Sequence, residues 1–471
     1  MTTMELNRVA EAASDDQAKL AAVPFRITNP EQIPAKRYYD QGFFELEKEK
    51  LWPHVWQMAC RLEEIPEVGD YVEYRNLDKS VIVIRTKAGV KAFHNACRHR
   101  GVQLVSEGGN CRNSGFICPF HGWRWNMEGE NTFVFGKQIF SEENLEKAEL
   151  NLASCRSELW GGHVFINHDD DAPSLLDSLG PIADRLGIRN VDQLKMEWWY
   201  ATELPTNWKL AMEAFQEGYH TMRTHPQLHA LSAFNPYGSD AEQPAAMRDL
   251  DARGHVNLFA RFLARLSSGM AGMVHGSEVE VAERLSTMDL PENPMEALGL
   301  YVRTLKDEIY REATERGVPM PNLNEVDEAD PHRIVEFLFP HYFLLPFYGA
   351  MSAYRIRPLT PETCLFEIWS LAFEPVKEGS EPIKTPTVLP YDSKEFPEIP
   401  QQDYGNLPIQ QLGLHAGKFD YMRLSHVAEG LLSNYQRLID GYLAGIDPAK
   451  LAKAQHAVND GFEHPIVDIG F

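Results

Sequence analysis

Long apolar runs are missing from this chain. No stretch of about 18 consecutive apolar residues occurs, which excludes a membrane-crossing helix and reads as a protein in solution. Positive charge is also scarce. Against 68 Asp and Glu there are 45 Lys and Arg, and a net charge of -23 repels phosphate, so nucleic acid and anionic membrane are excluded as main partners. Six cysteines in 471 residues are too few for a disulfide scaffold, so any role for cysteine must be sought elsewhere. The N-terminus, MTTMELNRVAEAASDDQ, has neither a basic region nor an apolar core of the secretory kind, which predicts a cytoplasmic location. No G-x-G-x-x-G opens a βαβ unit and no C-x4-C-x2-C run is present, so a built-in dinucleotide or plant-type ferredoxin module is not expected.

What remains is globular. The length favours two domains, and mixed helical and strand-like segments without βαβ alternation predict an α+β fold. Residues 36–58 carry helix-like spacing of aromatics and form a leader ending near Pro53. Segments 80–96 and 115–130 alternate apolar and polar positions around turns, as hairpins of a small β domain do. That domain is expected to close near 168, at the polar DDDAPS connection. Beyond it lie a helical stretch at 207–225, charged amphipathic helices over about 240–335, apolar strands over 337–374 and a closing amphipathic helix at 419–445. The expected division is therefore 1–54 as a helical leader, 55–168 as the β domain and 169–471 as a second domain with a helical insertion at about 240–330.

Two constellations carry chemistry. Cys97-Arg98-His99 and Cys118-Pro119-Phe120-His121 each offer one thiolate and one imidazole at a strand-loop junction. Zinc and an iron–sulfur cluster both accept such a set. Zinc fingers usually open with a Cys pair and end with a His pair, whereas here each loop supplies one of each, which suits a [2Fe–2S] cluster clasped between two loops. Cys60, Cys111, Cys155 and Cys364 lack such pairing and read as small buried apolar side chains.

The second constellation is Glu213, Glu217, His220 and His225, downstream of Asn207-Trp208-Lys209. Two histidines and one carboxylate on one face of a metal are what a mononuclear non-haem iron site requires. On one ideal helix the two histidines would stand roughly 140° apart, so the helix must bulge or end between them. Pro226 disfavours the α conformation at His225 and helps it turn. By spacing alone His225 and His229 form an equally good pair, and Glu367, Asp392, Glu395 and Asp403 all compete as the late carboxylate. Glu217, one turn before His220, is placed to hydrogen-bond the imidazole nitrogen left free.

The loops ACRHRG (96–101) and CPFHGWRW (118–125), with NWK and E-x-x-x-E-x-Y-H-x-x-x-x-H, resemble the alpha subunits of Rieske non-haem iron ring-hydroxylating oxygenases over nearly the whole chain. The resemblance implies Cys97, His99, Cys118 and His121 as cluster ligands, His220 and His225 as iron ligands, and a helix-grip antiparallel sheet in the second domain. It selects Asp403 as third ligand, because QQDYGNLPIQQLGL (401–414) is similar to the family segment in which an acidic residue precedes Gln-x-Gly. It also implies that Glu217 bridges His121 of a neighbouring subunit to His220. Most relatives carry Asp at this position, and many have Asn where Ala214 stands, so both are departures.

Together the two centres predict reductive activation of O2 and hydroxylation of an apolar, aromatic substrate, ring dihydroxylation ahead of monohydroxylation or O- or N-demethylation. Electrons would come from NAD(P)H through a separate reductase, with or without a ferredoxin, to a homotrimer or an α3β3 assembly. Met212, Phe215, Gln216 and the apolar segment 337–356 are candidates for a pocket wall beside the iron, although most of 337–356 reads as sheet core. A Rieske electron carrier without oxygenase activity and a zinc-stabilised binding protein are the readings from other classes.

Overall fold

The computed structural model describes residues 15–229, 250–270, 272–330, 333–373 and 382–471. The side chain of His229 and the start of the expected insertion, 240–249, lie outside the described residues. Among the described residues no helix is long and apolar enough to cross a membrane.

The first domain is built on a seven-stranded sheet. Its order is Gln57–Arg61, His163–Asn167, Ser154–Trp160, Gly89–His94, Lys79–Thr86, Asp70–Asn76 and Gly109–Asn110. Alternation in SVIVIRT explains its centre: Ile82 and Ile84 pack toward Phe93, Trp125 and both loop cysteines, while Val81 and Val83 pack on the opposite face with Cys60, Tyr74 and Ile166. A three-stranded sheet, Phe116–Ile117, Arg124–Trp125 and Asn131–Phe133, carries the second ligand-bearing loop. Both expected hairpins are present, the first turning at Lys87–Ala88 between Thr86 and Gly89.

The second domain is organised by a six-stranded sheet in the order Glu336–Leu338, Tyr342–Pro346, Ala350–Thr360, Thr363–Ala372, Lys195–Leu204 and Thr387–Val388. All neighbours are antiparallel except the last pair. Aromatic pairs knit it together, with Phe343 stacked on Tyr354 at 4.6 Å and Trp199 on Trp369 at 5.1 Å. The segment 337–356 is thus sheet core for the most part. Helices Ala252–Gly269, Gly276–Leu285, Pro294–Glu315 and Leu323–Ala329 occupy the charged stretch. Between the first two, Met273 and Val274 are buried, and a Cβ on Gly272 would meet Ser370 Oγ at 1.8 Å. The sheet requires glycine there for close approach, and the φ of +77° requires it again.

Two corrections to the sequence reading concern helices. Gly430–Ala444 lies within the expected closing segment, but a further helix, Pro448–Asn459, follows it. The stretch 207–225 is not one helix: Trp208–Glu213 ends, and a separate turn, Thr221–Thr224, follows.

Buried ion pairs fasten the leader and the two domains around these elements. Lys209 meets Glu47 at 2.7 Å, and Trp208 donates its indole N–H to the same carboxylate at 3.2 Å, so the NWK motif anchors the start of the 207–225 segment to helix Gln41–Lys50. Asn207 caps the helix by accepting from Lys209 N at 2.9 Å. Arg37 is buried against Asp440. On the sheet, Arg355 stands directly opposite Glu367 and grips it with two bonds of 2.7 Å. Arg355 also donates to the backbone carbonyls of Met58 and Ala59 in the first domain's edge strand.

One buried carboxyl on this frame gives a pH-dependent expectation. Glu213 accepts from Tyr38 at 2.9 Å and is pushed up to about 7 by burial, despite hydrogen bonds from Gln436 and Tyr38 and the nearby charges of Lys209 and Arg37. Its ordinary value is 4.5, so the folded state holds the proton more tightly than the unfolded one and stability falls as pH rises from 4.5 through 7. Glu213→Gln is therefore expected to stabilise the protein by up to about 3 kcal/mol at pH 8 and by little at pH 5. Urea titrations of both proteins at the two pH values check this. An equal gain at both would assign the effect to packing instead.

Candidate functional site: two metal-binding constellations

The two loops of the first domain have the same backbone design. Cys97 N donates to Val102 O at 2.8 Å and Gly101 N to Cys97 O at 2.9 Å; Cys118 N donates to Trp123 O at 2.8 Å and Gly122 N to Cys118 O at 3.0 Å. Each loop turns on a glycine four residues after its cysteine, with φ of 74° at Gly101 and 70° at Gly122, the left-handed region where glycine is favoured. Nothing crowds either position, so conformation and not space demands the glycine.

This design brings four donors together. Both thiols are buried, free and hydrogen-bonded to each other, and His99 Nδ1 lies 3.2 Å from His121 Nδ1. Burial pushes the Cys97 thiol up; at Cys118 burial is outweighed by the backbone N–H groups of His121 and Phe120, which hold that thiol down. Trp123 stacks on His99 at 4.9 Å and fixes its plane, while Phe120 beside His121 is 59% exposed. Two thiols and two facing imidazole nitrogens, with N–H groups aimed at sulfur, fit a cluster having two Cys on one iron and two His on the other.

The second constellation assembles from three segments. Helix Trp208–Glu213 ends before His220, so His220 and His225 flank the short turn Thr221–Thr224 and do not share one continuous helix. His225 follows the short turn with φ −119° and ψ 55°, outside the α region, as Pro226 requires. Asp403 comes from helix Glu398–Leu414. One donor atom from each of His220, His225 and Asp403 lies within 4.8 Å of the others, a group able to hold a metal ion. Asp403 Oδ1 is 3.0 Å from His225 Nε2 and 3.7 Å from His220 Nε2.

The other nitrogen of each imidazole is held from behind. His220 Nδ1 meets Glu217 Oε1 at 2.7 Å while Glu217 Oε2 accepts the His220 backbone N–H at 2.9 Å, so the carboxylate clamps ring and backbone together. His225 Nδ1 meets Gln402 Oε1 at 2.6 Å. Both contacts fix the tautomer that leaves Nε2 free for a metal. Burial disfavours the imidazolium at His220, but Glu217 and Asp403 more than offset it and raise its pKa. Glu367, a rival for third ligand, is engaged by Arg355 instead. Gln402 escaped the sequence reading, because an amide preceding the carboxylate by one residue has no spacing signature.

Beside the cluster, Phe215 packs against Phe343, Tyr354 and Phe366, and Phe366 packs against Tyr404. Among the described residues, the buried amide of Gln216 and the hydroxyl of Tyr404 have no hydrogen-bond partner. On the other side, Glu217, His220 and Asp403 line a recess of about 330 Å³ together with Asn406, Arg423 and Glu429.

A β domain bearing a Cys₂His₂ loop pair, joined to an antiparallel-sheet domain with a two-His, one-carboxylate cluster, defines a two-centre metalloprotein. Residues 55–134 match the Rieske [2Fe-2S] domain, and residues 191–445 match the ring hydroxylating alpha subunit catalytic domain, a family whose members bind mononuclear iron. The chain belongs to the ring-hydroxylating alpha-subunit family of Rieske proteins. It is 32% identical over 204 residues to the carnitine monooxygenase oxygenase subunit of Escherichia coli strain K12, covering 42% of this chain and 54% of that protein. It is 32% identical over 201 residues to the 2-aminobenzenesulfonate 2,3-dioxygenase subunit alpha of an Alcaligenes species, with 42% and 50% covered. It is 31% identical over 225 residues to the glycine betaine monooxygenase oxygenase subunit of Chromohalobacter salexigens, with 47% and 49% covered. The chain thus spans about half the length of the curated relatives it matches. In fold it is similar to a quaternary ammonium Rieske monooxygenase solved with L-carnitine, at TM-score 0.57 and 19% identity over 88% of this chain and 97% of that one. It is also similar to naphthalene 1,2-dioxygenase from a Rhodococcus species, at TM-score 0.57 and 20% identity over 94% and 98%.

Proposed function

We propose that this chain is the terminal oxygenase of a multicomponent Rieske system, with the cluster held by Cys97, His99, Cys118 and His121 and the iron by His220, His225 and Asp403. The observation that carries this reading is the convergence of His220 Nε2, His225 Nε2 and Asp403 Oδ1, each histidine oriented from behind by Glu217 or Gln402. A mononuclear ferrous ion held by these two histidines and one carboxylate would supply open positions for O2. A cluster in the same protein supplies single electrons, delivered by a separate reductase with or without a ferredoxin.

The relatives named for carnitine and glycine betaine move the substrate reading away from aromatic ring dihydroxylation. We favour monooxygenation of a small quaternary ammonium compound, one oxygen atom entering the product and the other leaving as water. The acidic field of a chain with net charge -23 supports this, since it draws a cation. The unpartnered Gln216 amide and Tyr404 hydroxyl suit a substrate that brings a polar group, more than a bare hydrocarbon.

We further read the boundaries as near 54 and 168, and the assembly as a homotrimer or α3β3 in which His121 of the partner subunit docks at Glu217. The recess at Glu217 and the exposed Phe120 beside His121 support that docking.

Anaerobically purified protein is expected to contain about three irons and two acid-labile sulfides per chain, with a reduced-state Rieske EPR signal. With 18O2, a quaternary ammonium substrate should acquire one labelled atom; two would restore the dioxygenase reading. Glu217→Ala should retain both centres but slow turnover at least about 100-fold, because Glu217 orients His220 and forms the proposed route. Unchanged turnover would remove Glu217 from the mechanism.

A further inference from the structure

Besides the two constellations described, a group of His and Cys side chains able to hold a metal ion lies in the first domain. One donor atom from each of His94, Cys155 and His168 lies within 4.8 Å of the others. Strand register explains why. Cys155 pairs with Ala92 on one side, and since successive side chains alternate faces, His94 shares the Cys155 face as its diagonal neighbour. On the other side Arg156 pairs with Asn167, which places His168 opposite Cys155 one step beyond the end of its strand. Three adjacent strands therefore present His, Cys and His on one face of the sheet.

The contacts within the group are loose. Cys155 Sγ is 3.9 Å from His168 Nδ1, and the two imidazole rings are 5.5 Å apart and tilted by 34°. The thiol donates weakly to Asn167 O at 3.4 Å. Tetrahedral zinc with bonds of about 2.0–2.3 Å separates its ligand atoms by about 3.3–3.6 Å, so small rotations bring these three into position. Cys155 is buried while both histidines are half-buried, which leaves an approach from solvent and an open fourth position. The charges nearest the group include Asp170 beside His94 and Cys155, Asp78 beside His168, and Lys79 beside both histidines.

We propose that His94, Cys155 and His168 form a zinc site, with three protein ligands and a fourth position taken by water or the Asp170 carboxylate. The set of one sulfur and two imidazoles favours zinc over the hard, oxygen-seeking cations. Burial keeps both imidazoles neutral and able to donate, His168 down at about 4. The Cys155 thiol, raised to about 12 by burial and Asp170, gives up its proton to solvent as the metal binds. Bound zinc would tie His168, where the connection to the second domain begins, to the centre of the cluster-bearing sheet.

The iron-loaded protein would be titrated with ZnCl2, zinc counted after desalting, and the bound ion's K-edge EXAFS recorded. One zinc per chain is expected, with one sulfur at about 2.3 Å and nitrogens at about 2.0–2.1 Å. Cys155→Ser and the more exposed His168→Gln should each weaken binding at least about tenfold with iron content unchanged, whereas His220→Ala should bind zinc as before. Zinc without a sulfur neighbour, loss of binding in His220→Ala alone, or no retained zinc would each overturn the site. Since His168→Gln alters a half-exposed side chain, a folded variant that still binds with wild-type affinity would overturn it too.

Discussion

Asp403→Ala is expected to release about one iron of three per chain and to lower turnover at least about 100-fold, with the Rieske EPR signal unchanged. Of the three groups it is the only anion, and it is 4% exposed on a helix whose preceding residue, Gln402, orients His225. Removing it leaves two neutral imidazoles to hold a divalent ion, and a ferrous site loses the charge that balances the metal. The two remaining histidines keep their supports, because Glu217 and Gln402 reach them independently of Asp403. The separation of effects is what makes the variant informative: metal analysis reads the mononuclear centre, and EPR reads the cluster. An unchanged iron count would return the choice of carboxylate to Asp392 or Glu395.

The second large effect concerns stability. Arg355→Ala is expected to destabilise the fold by about 3–5 kcal/mol, because it leaves Glu367 buried beside Arg357 alone. Burial opposes ionisation of Glu367, yet the Arg355 and Arg357 guanidiniums hold its carboxyl down at about 2. The same truncation removes the bonds from Arg355 to the Met58 and Ala59 carbonyls, a direct link from the catalytic sheet to the Rieske domain. Chemical denaturation followed separately by tryptophan fluorescence and by cluster absorbance would register both losses. Arg355→Met with Glu367→Leu should recover much of the stability, since an apolar pair avoids the unpaired charge. If the single variant were as stable as the parent, the pair would have no part in holding the sheet.

The two Cys-His loops were legible in the chain because each is local. Cysteine, histidine and turn glycine fall within five residues, so spacing alone conveys geometry. The same held for Asn207-Trp208-Lys209 as a helix start, although its partner Glu47 lies 162 residues away from Lys209 and leaves no local trace. The break expected between His220 and His225 falls earlier, after Glu213, because helical pattern persists in the residue types while burial of Phe215 against the sheet and the hydrogen bonds that Glu217 accepts from His220 stabilise a non-helical stretch. The grouping of Cys155 with His94 and His168 left no spacing signature, because strand pairing alone brings the three together.

By itself, then, the sequence determined the α+β class, the two Cys-His loops and the candidate histidines, since these depend on side-chain period, turn chemistry and short-range spacing. Only the tertiary structure shows that Asp403 meets both His220 and His225, that Gln402 stands behind His225, and that Glu367 is engaged by Arg355. Asp403 and Gln402 reach the histidines across more than 170 residues of chain, through contacts whose energies come from burial and alignment that no local pattern encodes.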